Sequence, residues 1–247
     1  MGKRWSARRW WGIGTLALAV LALLAAARSA ITLVYLGVAF RAEVNPFATP
    51  VSYYVFAPGG KSLFVSAAVA LAVGMLAVLV GMTWAGVRMA GRPTVLFSTW
   101  SLCLILAAIF PTDDSPNIET LVGLVHQFAG AGILALLSLA GLAAAPRLAE
   151  SPAWAPVVRL VRVLSVGAAM LAIAYLLSRA IDFIPGFVVP FGYTDVDGIL
   201  QRLVFAFDIG VVAALAAHLI RVSWLSLRDR TSVENGITAV LTASEQR

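Results

Sequence analysis

The sequence predicts an all-α fold, a polytopic integral membrane bundle of six transmembrane helices. Three observations predict it: the 247-residue chain is 61% hydrophobic, only 12% of its residues are charged, and its mean hydropathy is +0.92. Soluble domains carry about 25% charged residues. Lipid offers backbone N–H and C=O groups no water, so only helices or closed barrels span it. The apolar runs are too long and too rarely alternating for barrel strands of about 10 residues, which leaves helices.

Six apolar segments are long enough to cross the hydrocarbon core, which takes about 20 helical residues. They cover 11–36, 62–87, 94–110, 121–145, 160–181 and 199–220, and the breaks between them are rich in Gly, Pro, Asn and Asp. We expect a six-helix transmembrane domain over 1–225 and a short polar cytoplasmic tail over 226–247. A cleaved signal peptide is the alternative for the first segment, but apolar sequence resumes at Ile31, so we expect an uncleaved helix.

The basic residues predict the orientation in the membrane. An even number of spans places both termini on one side, and most of the 18 basic residues lie in the termini or in the loops on that side. Cytoplasmic loops carry an excess of Lys and Arg, so we expect both termini in the cytoplasm and a multi-pass protein of a bacterial inner (plasma) membrane. The net charge of +6 then reflects topology and contacts with membrane lipids, and no binding to nucleic acid is expected.

Polar residues within the spans concentrate in the outer half, which predicts a site. Ionisable groups inside a membrane are costly and are therefore candidates for function. At 1.5 Å per helical residue, those in spans one, four, five and six share a depth, and we expect an outward-opening polar pocket among these spans. The ordinary alternatives are arginines that reach outer headgroups, a hydrogen-bonded buried histidine, and an aspartate that neutralises a buried arginine.

Two chemical roles follow for this pocket. Guanidinium groups hold carboxylates and phosphates, so the expected contacts to an anionic group are Arg28, Arg179 and Arg202. Four neutral polar residues would complete the ligand-binding set: Tyr35, Gln127, Tyr175 and Gln201. Three residues could exchange protons, as catalytic acid and base in an enzyme, or act as counter-ions: His126, Asp182 and Asp208.

Several kinds of chemistry are excluded or disfavoured. His126 and His218 lie at opposite leaflets and cannot share a metal, so we expect no metal site. The single Cys103 excludes an internal disulfide. The sequence has no Gly-rich phosphate loop and no recognisable Ser-His-Asp spacing, and we expect no cofactor.

Three functions remain open from the residues alone. The first is binding or translocation of an amphiphilic or anionic small molecule through the outward-facing pocket. The second is an enzyme that acts on a lipid-like substrate by acid/base catalysis. The third is a non-catalytic subunit of a membrane complex, with a protein partner or a second copy of the chain.

The turn after the third span carries a motif. Pro111 follows the apolar run and ends its helix because proline lacks an N–H. Asp113 and Asp114 then fall in the outer turn, and Asp113, Asp114 or Ser115 is expected to cap the next helix. The stretch AAIFPTDDSPNIETLVGLVHQFAGAGI resembles the central signature of the bacterial six-helix membrane family catalogued as domain of unknown function 998, and DGILQRLVFAFD resembles the opening of that family's last span. The resemblance implies a six-span fold and brings no assigned activity.

Overall fold

Six long helices make up the protein in the computed structural model, which describes residues 2–115, 118–183 and 196–245. They are α1 (Gly2–Ala39), α2 (Gly60–Trp84), α3 (Arg92–Ile109), α4 (Leu121–Ala149), α5 (Ala155–Phe183) and α6 (Asp197–Glu245). A short 3₁₀ helix (Val51–Val55) lies between α1 and α2, and the described residues contain no strand. Each long helix contains a segment long and apolar enough to cross a membrane, which confirms the predicted six-span, all-α class.

Helix α6 continues well beyond its apolar part. Its backbone is helical to Glu245, so the stretch predicted as a polar tail over 226–247 is helical as far as it is described. The apolar segment of this helix ends at Arg228, close to the predicted boundary between the membrane domain and the tail. The division into a domain over 1–225 and a tail stays a prediction.

The helix boundaries follow the turn chemistry of the sequence. Gly59 and Gly91 have positive φ angles of 82° and 89° and immediately precede α2 and α3. Pro93 occupies the first turn of α3, where a missing N–H costs nothing. At the other end, α3 stops at Ile109 and Phe110 is extended, as the residue before Pro111 should be.

Consecutive helices pack side by side, and α6 closes the ring against α1. Small residues bring the helices close: Gly74 of α2 packs on Ala25 of α1, and Gly167 of α5 packs on the Phe207 ring of α6. Helix α6 also contacts α2 and α4, so it has the most helical neighbours. We therefore expect α6 to contribute lining residues to cavities between the helices.

The alternating helix directions give the bundle two different ends. We call the end with residues 40–59 and 110–120 the long-loop end; α4 and α6 begin there. The opposite end, with the connections 85–91 and 150–154, is the short-loop end. Gly12 of α1 packs on Leu227 of α6 near the short-loop end, so the apolar segment of α1 begins, and that of α6 ends, on this side of the bundle.

Candidate functional site

A histidine joins the end of α3 to the start of α4. His126 is 6% exposed, and its Nδ1 lies 2.7 Å from the carbonyl oxygen of Phe110. The last carbonyls of a helix have no partner within the helix, and histidine near a helix C-terminus commonly satisfies them. The hydrogen bond between His126 and Phe110 therefore connects the C-terminal end of α3 to the beginning of α4. With Nδ1 as donor, the neutral ring carries its lone pair on Nε2.

Asp113 organises the turn between these two helices. Its Oδ2 accepts hydrogen bonds from the backbone N–H groups of Glu119 (2.9 Å) and Thr120 (3.2 Å), and its Oδ1 accepts from the Thr120 hydroxyl at 2.6 Å. These bonds, above all the one from the Thr120 hydroxyl, lower the pKa of the Asp113 carboxyl. Thr120 in turn caps α4 by accepting from the backbone N–H of Gly123. The prediction that Asp113, Asp114 or Ser115 caps the helix is therefore wrong: Thr120 is the capping residue, and Asp113 stabilises the turn by binding Glu119 and Thr120.

Arg202 holds the segment between α1 and α2 onto the start of α6. The side chain is 9% exposed, and its Nη1 donates to the carbonyls of Thr49 (2.8 Å) and Gly198 (2.9 Å). Its Nη2 donates to the Tyr54 hydroxyl at 2.8 Å, and its guanidinium carbon lies 5.3 Å from the centre of the Tyr54 ring. The three hydrogen bonds of the guanidinium thus go to the protein's own backbone and to Tyr54, while Nε is buried without a partner among the described residues.

A neighbouring contact fixes the same segment more closely. A Cβ at Gly198 would lie 2.6 Å from the Thr49 carbonyl oxygen and 2.7 Å from that of Phe47. Real Cβ atoms do not approach backbone oxygens so closely, so only glycine allows this packing. The N–H of Ile199 donates to the Phe47 carbonyl at 2.9 Å, which ties the segment again to the first turn of α6. We call residues 45–54 the latch segment.

A polar cavity of about 130 Å³ lies between the latch segment, α4, α5 and α6. This volume holds roughly ten water-sized spheres. Half of the ten predicted pocket residues line it: His126, Gln127, Tyr175, Arg179 and Gln201. Helices α4, α5 and α6 were all predicted to contribute, whereas the fourth wall is the 3₁₀ helix through Ser52 and Tyr53 and not α1.

The cavity reaches the lateral surface of the bundle between α4 and α5. Gln127 and Ala131 on α4 are exposed, Leu176 on α5 is 55% exposed, and all three line the cavity. These residues lie in the segments that are apolar enough to span a membrane. The mouth is therefore bordered by a polar amide on one side and by an apolar side chain on the other.

An ion pair joins one of the lining residues, Arg179, to the first residue of α6. Nη1 of Arg179 lies 3.4 Å from Oδ2 of Asp197, the first residue of α6. Oδ1 of Asp197 also accepts a short hydrogen bond from the Ser178 hydroxyl. The sequence suggested Asp182 as a partner of Arg179; the side chain of Asp182 falls outside the described residues. The sequence analysis did not identify Asp197 as the partner of Arg179. Its position at the N-terminus of the last helix, where acidic residues are favoured, could have indicated it.

Several predicted residues lie away from the cavity. Arg28 and Tyr35 are exposed on α1, and the Tyr35 ring contacts Phe40 edge-on at 6.3 Å. Arg202 is engaged by the latch segment as described above. Asp208 is completely buried, and neither carboxyl oxygen has a hydrogen-bond partner among the described residues. His126 bonds to Phe110 and not to Asp208, so the two do not form a catalytic pair in this structure.

Tyr53 separates the polar cavity from a second one. Its ring lines both the polar cavity and a space of about 200 Å³ bordered by Glu43, Thr49 and Asp114. Its hydroxyl donates to the Ser115 carbonyl at 3.3 Å. Burial raises the pKa of the Tyr53 phenol; Arg179 opposes this effect, and Asp114 and Asp113 add to it. The phenol therefore keeps its proton and its donor role well above neutral pH.

The chemistry available at the cavity is recognition by charge and hydrogen bonds. Arg179 supplies a guanidinium, Gln127 and Tyr175 supply neutral polar groups, and His126 supplies a ring nitrogen. No group of three or more His, Cys, Asp or Glu that could hold a metal occurs in the part of the chain that the structure describes.

The comparisons with known proteins identify a family and no relative of known activity. The family model described as "Protein of unknown function (DUF998)" matches residues 24–218, which include the latch segment, the α3–α4 turn and every residue that lines the polar cavity. No curated protein and no solved structure matches the chain.

Proposed function

We propose, from the premise that the chain belongs to the DUF998 family of unknown function, that it is a multi-pass membrane protein that binds an amphiphile through the polar cavity. The anionic or hydrogen-bonding headgroup occupies the cavity beside Arg179, and the apolar part leaves it on the bundle's interior or lipid side. Binding is the function that this geometry supports best. Whether the bound molecule is then moved across the membrane is a second step that this cavity alone does not require.

The observation that carries the proposal is the position of the mouth. A cavity with a guanidinium and two glutamine amides is bordered by exposed residues of α4 and α5 that belong to segments apolar enough to span a membrane, and we expect its mouth to face lipid. A water-soluble solute would have to cross the hydrocarbon to enter there, whereas a lipid-like molecule approaches along this surface. Ligand sites generally combine an apolar lining with a few convergent polar groups, and Leu134 and Leu176 provide the apolar part here.

The alternative of acid/base catalysis has less support. A general base has to lie within hydrogen-bond reach of the proton that it removes. Nδ1 of His126 contacts a backbone carbonyl, and Asp208 does not line the cavity. The residues suggested as acid and base therefore lie in different environments, while the residues suggested for ligand contact mostly come together.

The orientation belongs to the same proposal. Both termini would lie in the cytoplasm of the cell, so the long-loop end and the polar cavity would face the outer side. Arg88, Arg92 and Arg147 at the short-loop end support this, because positive loops stay in the cytoplasm. In a Cys103→Ser background, we expect Asp114→Cys in intact cells to react with a membrane-impermeant maleimide and Arg88→Cys to react only after permeabilisation. The reverse pattern would overturn the orientation.

Binding is tested with dodecyl phosphate as the probe and the protein in lipid nanodiscs. Titration calorimetry, with empty nanodiscs as the blank, measures saturable binding to the wild type and to two matched variants. Ala131→Leu adds a side chain at the mouth of the cavity, and Ala135→Leu makes the same change one turn along α4 on an exposed position outside it. We expect Ala131→Leu to weaken binding at least tenfold, about 1.4 kcal/mol, and Ala135→Leu to leave it unchanged.

Two results would refute the proposal. One is the absence of saturable binding above the nanodisc blank for dodecyl phosphate and for its zwitterionic counterpart dodecylphosphocholine. The other is an equal effect of the two alanine substitutions. Arg179→Gln distinguishes the headgroups, because it should weaken dodecyl phosphate more than dodecylphosphocholine.

A further inference from the structure

A third cavity, of about 70 Å³, lies between the helices in the long-loop half of the bundle and is partly open to its surface. It is lined by five of the six long helices, all except α5, and by Val51 of the latch segment. Apart from Ser29 and Thr32, every lining residue is apolar. The Ser29 hydroxyl is already used, because it lies 2.9 Å from the carbonyls of both Ala25 and Ala67.

An apolar cavity of this kind is a poor site for water. A buried water needs two to four polar partners, and cavities lined by aliphatic side chains stay dry and bind small apolar molecules. The volume of about 70 Å³ is roughly half that of an apolar cavity that binds benzene, which is about 150 Å³. The cavity therefore has room for about three carbon atoms of a hydrocarbon.

The apolar cavity and the polar cavity lie back to back. On the latch segment, Val51 lines the apolar cavity while its neighbours Pro50 and Ser52 line the polar one. On α4, Ile133 lines the apolar cavity and its neighbour Leu134 lines the polar cavity. On α6, Gln201 lines the polar cavity and Phe205, one turn later, lines the apolar cavity. The latch segment, α4 and α6 therefore each separate the two cavities.

One hydrogen bond fastens the wall between the two cavities. The backbone N–H of Val51 donates to Oε1 of Gln201 at 2.6 Å. Val51 belongs to the apolar lining and Gln201 to the polar lining, so the bond runs within the wall itself. The Phe205 side chain beside it is only half-buried and contacts both hydrophobic clusters that meet here.

We propose that the apolar cavity is the site for the hydrocarbon end of the amphiphile whose headgroup occupies the polar cavity. This inference rests on the proposed function and narrows its ligand to an amphiphile that places a single hydrocarbon chain in this cavity. The hydrogen bond between Val51 and Gln201 closes the wall between the two cavities, so it has to open when the chain enters. The headgroup site and the chain site then form one continuous binding site.

A photoreactive probe locates the chain directly. The probe is an alkyl phosphate with a diazirine at the end of the chain, bound to the whole protein in nanodiscs, illuminated and mapped by peptide mass spectrometry. We expect labels on residues that face the apolar cavity, such as Phe64, Leu71 and Leu104. Labels confined to lipid-exposed residues such as Val69 and Val73 would overturn the inference.

Matched variants on α2 separate this inference from the proposed function. Ala67→Leu fills the apolar cavity, while Ala70→Leu adds the same side chain at a half-buried position that does not line it. We expect Ala67→Leu to reduce the interior labels at least fivefold and Ala70→Leu to leave them unchanged. If Ala131→Leu abolishes binding but the labels remain lipid-exposed, only the chain site is wrong. If Ala131→Leu and Ala67→Leu both leave saturable binding and labelling intact, both proposals are wrong.

Discussion

The two ends of the bundle both use a histidine and a backbone carbonyl, in different surroundings. At the short-loop end, Nε2 of His218 lies 2.7 Å from the Ala153 carbonyl, and the ring packs at 4.9 Å from the buried Trp154. At the long-loop end, His126 makes the same kind of contact with Phe110 but also borders the polar cavity. All three cavities described above lie in the long-loop half.

This difference separates structural polar groups from candidate functional ones. A buried histidine that satisfies a loop carbonyl contributes to stability at either end of the molecule. Only a polar group that also lines a cavity can contact a ligand, so burial in a span is by itself weak support for function. Arg202 illustrates the same distinction within the long-loop end, since all of its described hydrogen bonds go to the protein.

The largest difference between the ends is expected for two arginines. Arg202→Met removes three hydrogen bonds and leaves the Thr49 and Gly198 carbonyls without them, so we expect a loss of about 3 kcal/mol of unfolding free energy. Arg147→Met at the short-loop end breaks an exposed pair with Glu150 at 3.2 Å and should change it by less than about 0.5 kcal/mol. Unfolding in mixed micelles with increasing dodecyl sulfate measures both. Equal losses would contradict the role of Arg202 in holding the latch segment.

The two histidines provide the most direct test of the comparison. His126→Ala and His218→Ala each remove one buried hydrogen bond to a carbonyl, and each should cost about 1–2 kcal/mol. Only His126→Ala should also weaken the binding of dodecyl phosphate, because His218 lies at the opposite end. If both variants impair binding equally, the effect comes from stability and the cavity is not the site.

Asp208 should behave in the opposite way to the two histidines. Its carboxyl is fully buried without a partner among the described residues, so Asp208→Val exchanges an unsatisfied polar group for an apolar one of similar size. We expect unfolding free energy to rise by about 1 kcal/mol, with Asp208→Asn as the polar control. A variant that is more stable but no longer binds the probe would show that the carboxyl serves function. A destabilised variant would contradict the unpartnered position of this side chain.

The smallest effect on stability is expected in the turn between α3 and α4, and it depends on pH. Asp113→Asn weakens the hydrogen bonds to Glu119 and Thr120, so it should lower Tm by a few degrees at neutral pH, with exposed Asp114→Asn as the control. The pKa of folded Asp113 lies below its ordinary value of 3.8, so its charge stabilises the protein above pH 3.8. The difference in Tm between wild type and Asp113→Asn should shrink as the pH falls through 3.8 and vanish below the lowered pKa. If the difference in Tm between the two proteins persists below the lowered pKa, the effect comes from the altered hydrogen-bond geometry and not from the charge of Asp113.

Much of the architecture could be predicted because it depends on local composition. Span positions follow from apolar runs, and the end of α3 follows from Pro111. Depth along a helix could also be predicted, which is why residues on α4, α5 and α6 came together at one cavity. Arg28 and Tyr35 share that depth but face outward, since direction around a helix depends on which neighbours pack against it.

The contribution of the loops could not be predicted in the same way. Tyr53 and Tyr54 lie in a segment without hydrophobic periodicity, and their contacts are with residues far away in the chain. The pairing of Arg179 with Asp197 likewise depends on how α5 and α6 meet. Such contacts require the three-dimensional arrangement of all six helices, and no sequence pattern within one helix specifies them.

The bond between Val51 and Gln201 joins residues 150 positions apart, and this sets an order of assembly. A chain is synthesised from its N-terminus, so the latch segment leaves the ribosome while α6 does not yet exist. Until the last span has inserted, Val51 and Thr49 lack the side chains that hold them, and neither cavity has its wall on α6. The proposed binding site is therefore completed only when the last span has been made, and we expect an unfinished chain not to capture the proposed ligand.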